Sequence, residues 1–177
     1  MTTTQTGSAS EAKASMTQTQ VRPGRFLTFT LASESYGLEI LKVQEIIGIL
    51  NVTRVPRTPA YIRGVINLRG KVIPVIDLRP KLGFEAKADS ERTCIIVLQI
   101  RNGDRDVTMG VIVDAVSEVL NVSAEQIEPT PEFGAAISHE FILGLAKLGK
   151  HVVILLDADR ILSTDGMGEA KASAVAA

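Results

Sequence analysis

The sequence has no tryptophan, only 4% aromatic residues, and a single cysteine, Cys94, in 177 residues. One thiol can form neither an internal disulfide nor a cysteine metal site, which favours a reducing, cytoplasmic setting. The longest apolar runs, such as 152–156, fall far short of the roughly 20 residues that a membrane helix needs. The amino terminus also lacks the patterns of a signal or transit peptide. These absences predict a cytoplasmic protein that does not insert into the membrane.

Catalytic and metal-binding patterns are equally scarce. His139 and His151 are the only histidines, and no zinc-protease, nucleophile-elbow or phosphate-loop motif occurs. No two ligand-type residues repeat at metal-site spacing, and Asp157 and Asp159 are interpreted as belonging to a short helix. The sequence therefore predicts no enzymatic activity, no cofactor and no metal. A small hydrolase built on His139 and Glu140 is kept as an alternative.

The sequence is rich in short aliphatic runs. Hydrophobic residues make up 45% of the chain, and the runs are separated by turns that contain glycine, which is typical of a mostly β protein. They lie at 26–31, 36–40, 65–68, 72–77, 94–100, 107–113, 141–148 and 151–157. Short helices are predicted at about 41–47, 114–120 and 157–162. Pro74 cannot donate a ladder hydrogen bond, so it predicts a strand edge or a kink.

The two halves of the chain resemble each other. Residues 61–82 align without gaps with 141–162, and residues 36–47 align with 109–120. Matched positions include the pairs Gly37 and Gly110, Gly64 and Gly144, and Asp77 and Asp157. Because strand register and turn positions match together, we interpret the pattern as a tandem duplication of one small β unit. Two copies predict two small barrels with a groove between them.

The predicted organisation has a flexible amino-terminal tail at 1–24, one domain at 25–163 and a second tail at 164–177. Within the domain, the barrels are placed at roughly 25–90 and 91–163. A crossing of the chain between the barrels is left open.

Charge is unevenly distributed although the formal net charge is only −1. Residues 54–81 contain seven basic residues and a single acid, Asp77, whereas 114–140 contain six acids and no lysine or arginine. The basic run could meet nucleic-acid phosphates, form a solvated face, or steer charged partners onto one end of the protein. The segment 41–49 is likewise open to two interpretations: a short core helix, or an exposed aliphatic docking patch around Glu45.

Three stretches carry a resemblance to a known family: YGLEILKVQEIIG, TPAYIRGVINLRGKVIPVIDLR and PTPEFG. In this order, over residues 24–163, they resemble the CheW family of bacterial chemotaxis coupling proteins. The resemblance implies a mostly β fold of two SH3-like five-stranded β-barrels related by internal duplication, with short helices. It also implies a cytoplasmic adaptor without catalysis, recruited to receptor arrays at the inner face of the membrane. Such an adaptor binds the regulatory domain of the histidine kinase CheA and the cytoplasmic tip of methyl-accepting chemoreceptors.

The same resemblance implies two binding surfaces. The receptor-binding positions fall on Val43, Glu45, Ile46, Arg69, Cys94 and Val119. Cys94 departs from the expected branched aliphatic residue, and Arg69 is expected at a hairpin turn that Gly70 permits. The kinase-binding positions fall on Val52, Ile62, Gly64 and Val65. The alternative function is a nucleic-acid-binding β-barrel protein that uses residues 54–81.

Overall fold

The computed structural model describes residues 23–49, 51–85, 87–129 and 141–162. Within these residues the chain forms eleven strands and two short helices. The strands are β1 (Gly24–Leu31), β2 (Glu34–Glu39), β3 (Val43–Gly48), β4 (Ile62–Leu68), β5 (Lys71–Asp77), β6 (Cys94–Asn102), β7 (Arg105–Val113), β8 (Ala115–Val122), β9 (Ile127–Glu128), β10 (Ile142–Leu148) and β11 (His151–Leu156). The helices are α1 (Leu78–Lys81) and α2 (Ala158–Ile161). Neither helix of this part of the chain has the length or the apolarity to cross a bilayer.

The strands form two sheets, which confirms the mostly β, duplicated fold. The five-stranded sheet, called the first barrel below, has the order β3-β6-β7-β5-β4. The six-stranded sheet, called the second barrel, has the order β8-β1-β2-β11-β10-β9. A β-bridge from Thr53 to Val65 in β4 occupies the place that β9 takes beside β10. The two strand orders are therefore the same when one repeat is laid on the other.

Each barrel contains a hairpin that comes from the other repeat. The hairpin β1–β2 lies in the second barrel between β8 and β11, and the hairpin β6–β7 lies in the first barrel between β3 and β5. The two exchanged hairpins make the parallel contacts of the fold at matched positions, Gly37 opposite Leu155 and Gly110 opposite Val75. Each sheet therefore combines strands from both halves of the chain.

Three apolar clusters stabilise this arrangement. One lies inside the first barrel, around Ile73 and Val97, and another lies inside the second barrel, around Phe26 and Leu155. The largest, called the shared core below, lies between the barrels and takes residues from β1, β2, β6, β7 and both helices. The outward faces of the exchanged hairpins thus bury each other, so the two barrels form one folding unit.

The helices predicted at 41–47 and 114–120 are wrong. These segments form β3 and β8, and only a single 3₁₀ turn, Ile40–Lys42, precedes β3. Both segments pair with long neighbouring strands, β6 and β1, and this pairing outweighs the local helical spacing of their aliphatic residues. The third predicted helix corresponds to α2, whose first turn is capped by the Asp157 carboxylate.

Pro74 lies in β5, which is an internal strand of the first barrel rather than an edge strand. It is opposite Val65 of β4, and the pairing of β5 with β7 begins only at the next residue, Val75. The missing N–H of proline therefore falls just before the second ladder starts.

Candidate functional site

Two exposed aliphatic residues occupy equivalent places in the two repeats. Ile46 of β3 is 42% exposed and Val119 of β8 is 47% exposed. Their cross-strand neighbours, Ile96 and Leu27, are buried in the shared core. Because paired residues project from the same face of a sheet, Ile46 and Val119 continue the apolar face of the shared core onto the surface.

Val43 and Cys94 adjoin this exposed margin. Both are half-buried and pack against the shared core. Val43 begins β3, and Cys94 is opposite Gly48 at the other end of the same strand pair. Five of the six predicted receptor-binding residues thus belong to the first barrel or its hairpin turn, and Val119 alone belongs to the second barrel.

The structure brings Arg69 and Glu45 into direct contact across 24 residues of sequence. The guanidinium Nη1 and Nη2 donate to the two carboxylate oxygens of Glu45, at 3.0 and 2.7 Å. Glu45 lies at a β-bulge with 24% of its side chain exposed, whereas 76% of the Arg69 side chain is exposed. This fork-to-carboxylate geometry fixes the direction of an otherwise flexible side chain.

Arg69 also has a strained backbone. Its φ is +52°, and the next residue, Gly70, has φ +83°. The Gly70 N–H donates to Asn67 Oδ1 at 2.9 Å, which holds the turn closed. A residue with a Cβ is strained by about 1 kcal/mol in the left-handed region, which glycine and asparagine adopt more readily. Strain of this kind is concentrated at functional sites.

A depression of about 260 Å³ opens beside this ion pair. Its lining comes from three parts of the first barrel: Gln44, Glu45, Leu68, Arg69, Lys71, Ile73 and Thr108. Leu68 and Ile73 belong to the core of the first barrel. The site therefore offers an aliphatic floor with charged groups at its rim, and such a site suits one apolar side chain of a protein partner.

The predicted kinase-binding residues lie along β4 and the segment before it. Val65 projects from the face of β4 opposite to buried Ile66, and it exchanges two backbone hydrogen bonds of 2.9 Å with Thr53. Gly64 is buried, and a Cβ there would lie 2.0 Å from the Thr53 carbonyl oxygen at a φ of +145°. Gly64 is thus required by backbone packing. Val52 and Ile62 are half-buried.

Val72 was missed by the sequence interpretation. It is 65% exposed and is opposite Asn67 on the outer face of the β4–β5 hairpin, next to Val65 and Pro74. Alternation in the run 72–77 predicts this outward direction, because Ile73 and Val75 point into the first barrel. The outer face of this hairpin is therefore a second apolar surface, separate from β3.

The basic run 54–81 does not form a uniform cationic face. Arg63 pairs with Asp89, Arg69 with Glu45, and Arg79 with Asp77. Lys81 lies 4.2 Å from the centre of the Tyr61 ring, and burial lowers the pKa of its ammonium group. Four of the seven cations of this run thus contact groups of the protein itself, and only Arg54, Arg57 and Lys71 are exposed outside these contacts, which argues against the nucleic-acid alternative.

His139 and Glu140, on which the hydrolase alternative depends, lie outside the described residues, and so does most of the PTPEFG stretch. Within the described ranges, no group of three or more histidine, cysteine, aspartate or glutamate side chains could hold a metal ion.

Two packed barrels with exposed aliphatic residues on their edge strands define a protein-interaction module of the adaptor class. The profile of the CheW-like domain family matches residues 25–166, and the chain belongs to this family of chemotaxis scaffold proteins. The chain is 48% identical over 142 residues to chemotaxis protein CheW of Klebsiella aerogenes, covering 80% of this chain and 83% of the relative. It is 36% identical over 137 residues to the probable chemotaxis protein CheW of Rhizobium etli, covering 77% and 86%.

A solved structure has the same fold. The scaffolding protein TtCheW from Thermoanaerobacter tengcongensis superposes with a TM-score of 0.71 at 37% sequence identity, covering 81% of this chain and 95% of that chain. The family resemblance and the duplicated β fold expected from the sequence are therefore both confirmed.

Proposed function

We propose that this protein couples methyl-accepting chemoreceptors to the histidine kinase CheA by binding both at once, with no chemistry of its own. It would act in the cytoplasm, recruited to receptor arrays at the inner face of the membrane. The observation that carries this proposal is the placement of Ile46 and Val119. Their equivalent positions continue the shared core onto the surface of both barrels, and Glu45, which holds Arg69, is next to Ile46 in β3.

This surface suits the helical tip of a receptor. A helix docks through aliphatic side chains spaced one turn apart, and Ile46, Val43 and Val119 supply aliphatic partners for them. The Arg69 fork can meet a carboxylate or a helix-terminal carbonyl of the receptor. The depression beside Arg69 can take one apolar anchor.

The kinase would bind elsewhere, on the outer face of the β4–β5 hairpin. Val52, Ile62 and Val65 border this face, and Val72 adds exposed aliphatic area to it. Val65 and Val72 lie on the opposite face of the hairpin from Leu68 and Ile73, which line the depression beside Arg69, so both partners can be bound together. Contacts of modest strength then reinforce one another through effective concentration.

Titration with a soluble receptor cytoplasmic fragment tests the receptor surface. We expect Arg69→Ala and Ile46→Glu each to weaken receptor binding roughly tenfold or more. The first substitution removes the guanidinium, and the second places a charge on the apolar surface. Binding of the CheA regulatory domain should be unchanged. Val152→Glu is the matched control, since Val152 is 47% exposed, close to the 42% of Ile46, but lies on the β10–β11 hairpin of the second barrel.

Receptor binding that survives both substitutions would remove β3 from the site. Failure of the unsubstituted protein to bind either fragment would reject the proposed function. Filter binding of DNA and RNA at low and high salt covers the alternative, which requires an affinity that falls steeply with salt.

A further inference from the structure

The most deeply buried charge of the described residues belongs to Arg79 of α1. Its side chain is 2% exposed. Its Nε and Nη2 donate to the two oxygens of Asp77, both at 2.9 Å, and this contact chiefly raises the pKa of Arg79. Nη1 reaches Asp114 at 3.3 Å, and Nη2 reaches Asp89 at 3.5 Å. One cation thus holds three carboxylates from three separate parts of the chain.

The outer end of this group lies on β4. Asp89, in the linker before β6, also accepts a hydrogen bond from Arg63 Nη2. Arg63 stands between Ile62 and Gly64, two of the residues assigned to the proposed kinase surface. Whatever binds that surface therefore meets a side chain already joined to Asp89.

The inner end lies in the second barrel. Asp114 Oδ2 accepts the Ala32 N–H at 2.9 Å, and the Asp114 N–H donates to the Thr30 carbonyl at 3.1 Å. Ala32 is in the β1–β2 turn, and Asp114 immediately precedes β8, the strand of Val119. A continuous series of charge-assisted contacts thus joins β4 to β8.

The members of the series differ in exposure. Arg63 and Asp89 are 26% and 35% exposed, whereas Asp114 is 14% and Arg79 is 2% exposed. Solvent screens the outer pair, so a competing charge can displace it at little cost. The inner contacts, those of Arg79 with Asp77 and Asp114, lie at low dielectric, and Asp89 reaches the same guanidinium from the exposed side. Because Asp89 and Asp114 share one guanidinium, a closer contact of Arg79 with Asp89 weakens its contact with Asp114.

We propose that this inter-barrel ion network, formed by Arg63, Asp89, Arg79, Asp77 and Asp114, couples the β4 surface to β8. Asp89 is its exchangeable member. A carboxylate on the kinase that engages Arg63 frees Asp89 from Arg63, so Asp89 binds Arg79 more closely and the contact of Arg79 with Asp114, at the start of β8, is weakened. The functional consequence rests on the proposed function, since it links the kinase surface to the strand that carries Val119.

A double-mutant cycle tests the network without any partner. Arg63 and Asp114 make no direct contact in the structure. The effects of Arg63→Gln and Asp114→Asn on stability would therefore be additive if Asp89 and Arg79 did not connect them. We expect their combined effect on the unfolding equilibrium constant, measured in urea, to depart from additivity by at least threefold. Both substitutions keep a hydrogen-bonding side chain, which protects the fold. The control cycle combines Asp114→Asn with Lys42→Gln, whose partner is Asp159 outside the network, and should be additive.

Hydrogen exchange provides an independent measurement on the single variant Arg63→Gln. We expect at least twofold faster exchange at the Ala32 amide and in β8, although neither contains the substitution. Additivity in the first cycle, together with changes confined to β4 and the linker, would overturn the network.

A binding experiment tests the functional consequence. It measures the affinity of the protein for the receptor fragment with and without a saturating concentration of the kinase regulatory domain. In the unsubstituted protein we expect the kinase domain to change this affinity at least threefold, and Asp89→Asn to reduce the change to less than half. If both fragments bind independently, the coupling is wrong while the adaptor function stands. If neither binds, the adaptor function is wrong, and the double-mutant cycle alone decides the network.

Discussion

The two short helices occupy equivalent places in the duplicated fold but have opposite electrostatics. Each follows the second strand of a hairpin and is capped by an aspartate, Asp77 for α1 and Asp157 for α2. Two residues after the cap, α1 has buried Arg79, which reaches Asp114 between β7 and β8. At the same place, α2 has Asp159.

Asp159 contacts the turn between β2 and β3, which is the counterpart in the first repeat of the segment between β7 and β8. Its Oδ2 accepts from Lys42 Nζ at 2.8 Å, and its Oδ1 accepts the Arg101 N–H at 2.9 Å. Both side chains of this ion pair are about one third exposed. In both repeats, a charged residue of the short helix contacts the segment that connects a hairpin to the next strand. The charge is positive and buried at Arg79, but negative and partly exposed at Asp159. Burial, rather than the existence of an ion pair, should therefore decide how much each contact stabilises the protein.

Alanine substitutions of Arg79 and Asp159 test whether burial decides the strength of the two contacts, and they have the largest expected effect. Arg79→Ala should lower the free energy of unfolding by about 3–5 kcal/mol, because it leaves Asp77 as a buried charge without its cation. Asp159→Ala should lower it by only about 1 kcal/mol, since its ion pair is screened. Urea unfolding followed by circular dichroism measures both free energies. Equal losses of unfolding free energy would show that burial does not decide the strength of these contacts.

The exchanged hairpins allow a second comparison at Gly37 and Gly110. A Cβ at Gly110 would lie 2.8 Å from Ile95 Cγ2, and a Cβ at Gly37 would lie 3.0 Å from Leu155 Cδ2. The γ-methyl of isoleucine is fixed by a stiff χ1, whereas the end of a leucine side chain can rotate away. Gly110→Ala should therefore cost about 1–3 kcal/mol and Gly37→Ala clearly less.

Thermal unfolding of the two variants, with Gly48→Ala as control, checks this order. The Cβ of an alanine at position 48 would meet nothing within 4 Å, so its effect should stay within about 0.5 kcal/mol. A larger loss at Gly37 than at Gly110 would show that the second barrel, and not the first, has the tighter junction.

The sequence predicts the duplication because its signals are local. Turn glycines, cap aspartates and aliphatic register recur at fixed offsets, and Gly37 and Gly110 indeed occupy matched junctions. The exchange of hairpins is different, because it depends on pairing between distant segments. The segments 41–47 and 114–120 were misassigned for a related reason: their aliphatic spacing fits a helix or a strand, and only the pairing with β6 and β1 decides.

The candidate site was predictable to a smaller extent. The family resemblance indicated Glu45 and Arg69 as receptor-binding residues, and their direct contact with each other is visible only in the structure. Arg79 appeared in the sequence only as one member of a basic run. Its buried charge is neutralised by Asp77, two residues earlier, and also by Asp89 and Asp114, which lie 10 and 35 residues away in the chain. No local pattern carries that information, since charge partners at such separations are set by tertiary structure.

The hairpin turns at Arg69 and Gly149 provide the comparison with the smallest expected effect. These equivalent positions both have left-handed backbones, with φ +52° and +64°. Arg69→Gly relieves about 1 kcal/mol of backbone strain but loses an exposed ion pair and adds disorder to the unfolded chain. These terms nearly cancel, so we expect stability within about 1 kcal/mol of the unsubstituted protein, together with weaker receptor binding. Gly149→Ala should instead cost about 1 kcal/mol with receptor binding unchanged. If thermal unfolding shows a large loss for Arg69→Gly, then the Arg69–Glu45 pair stabilises the fold, and its strain is not evidence of a binding role.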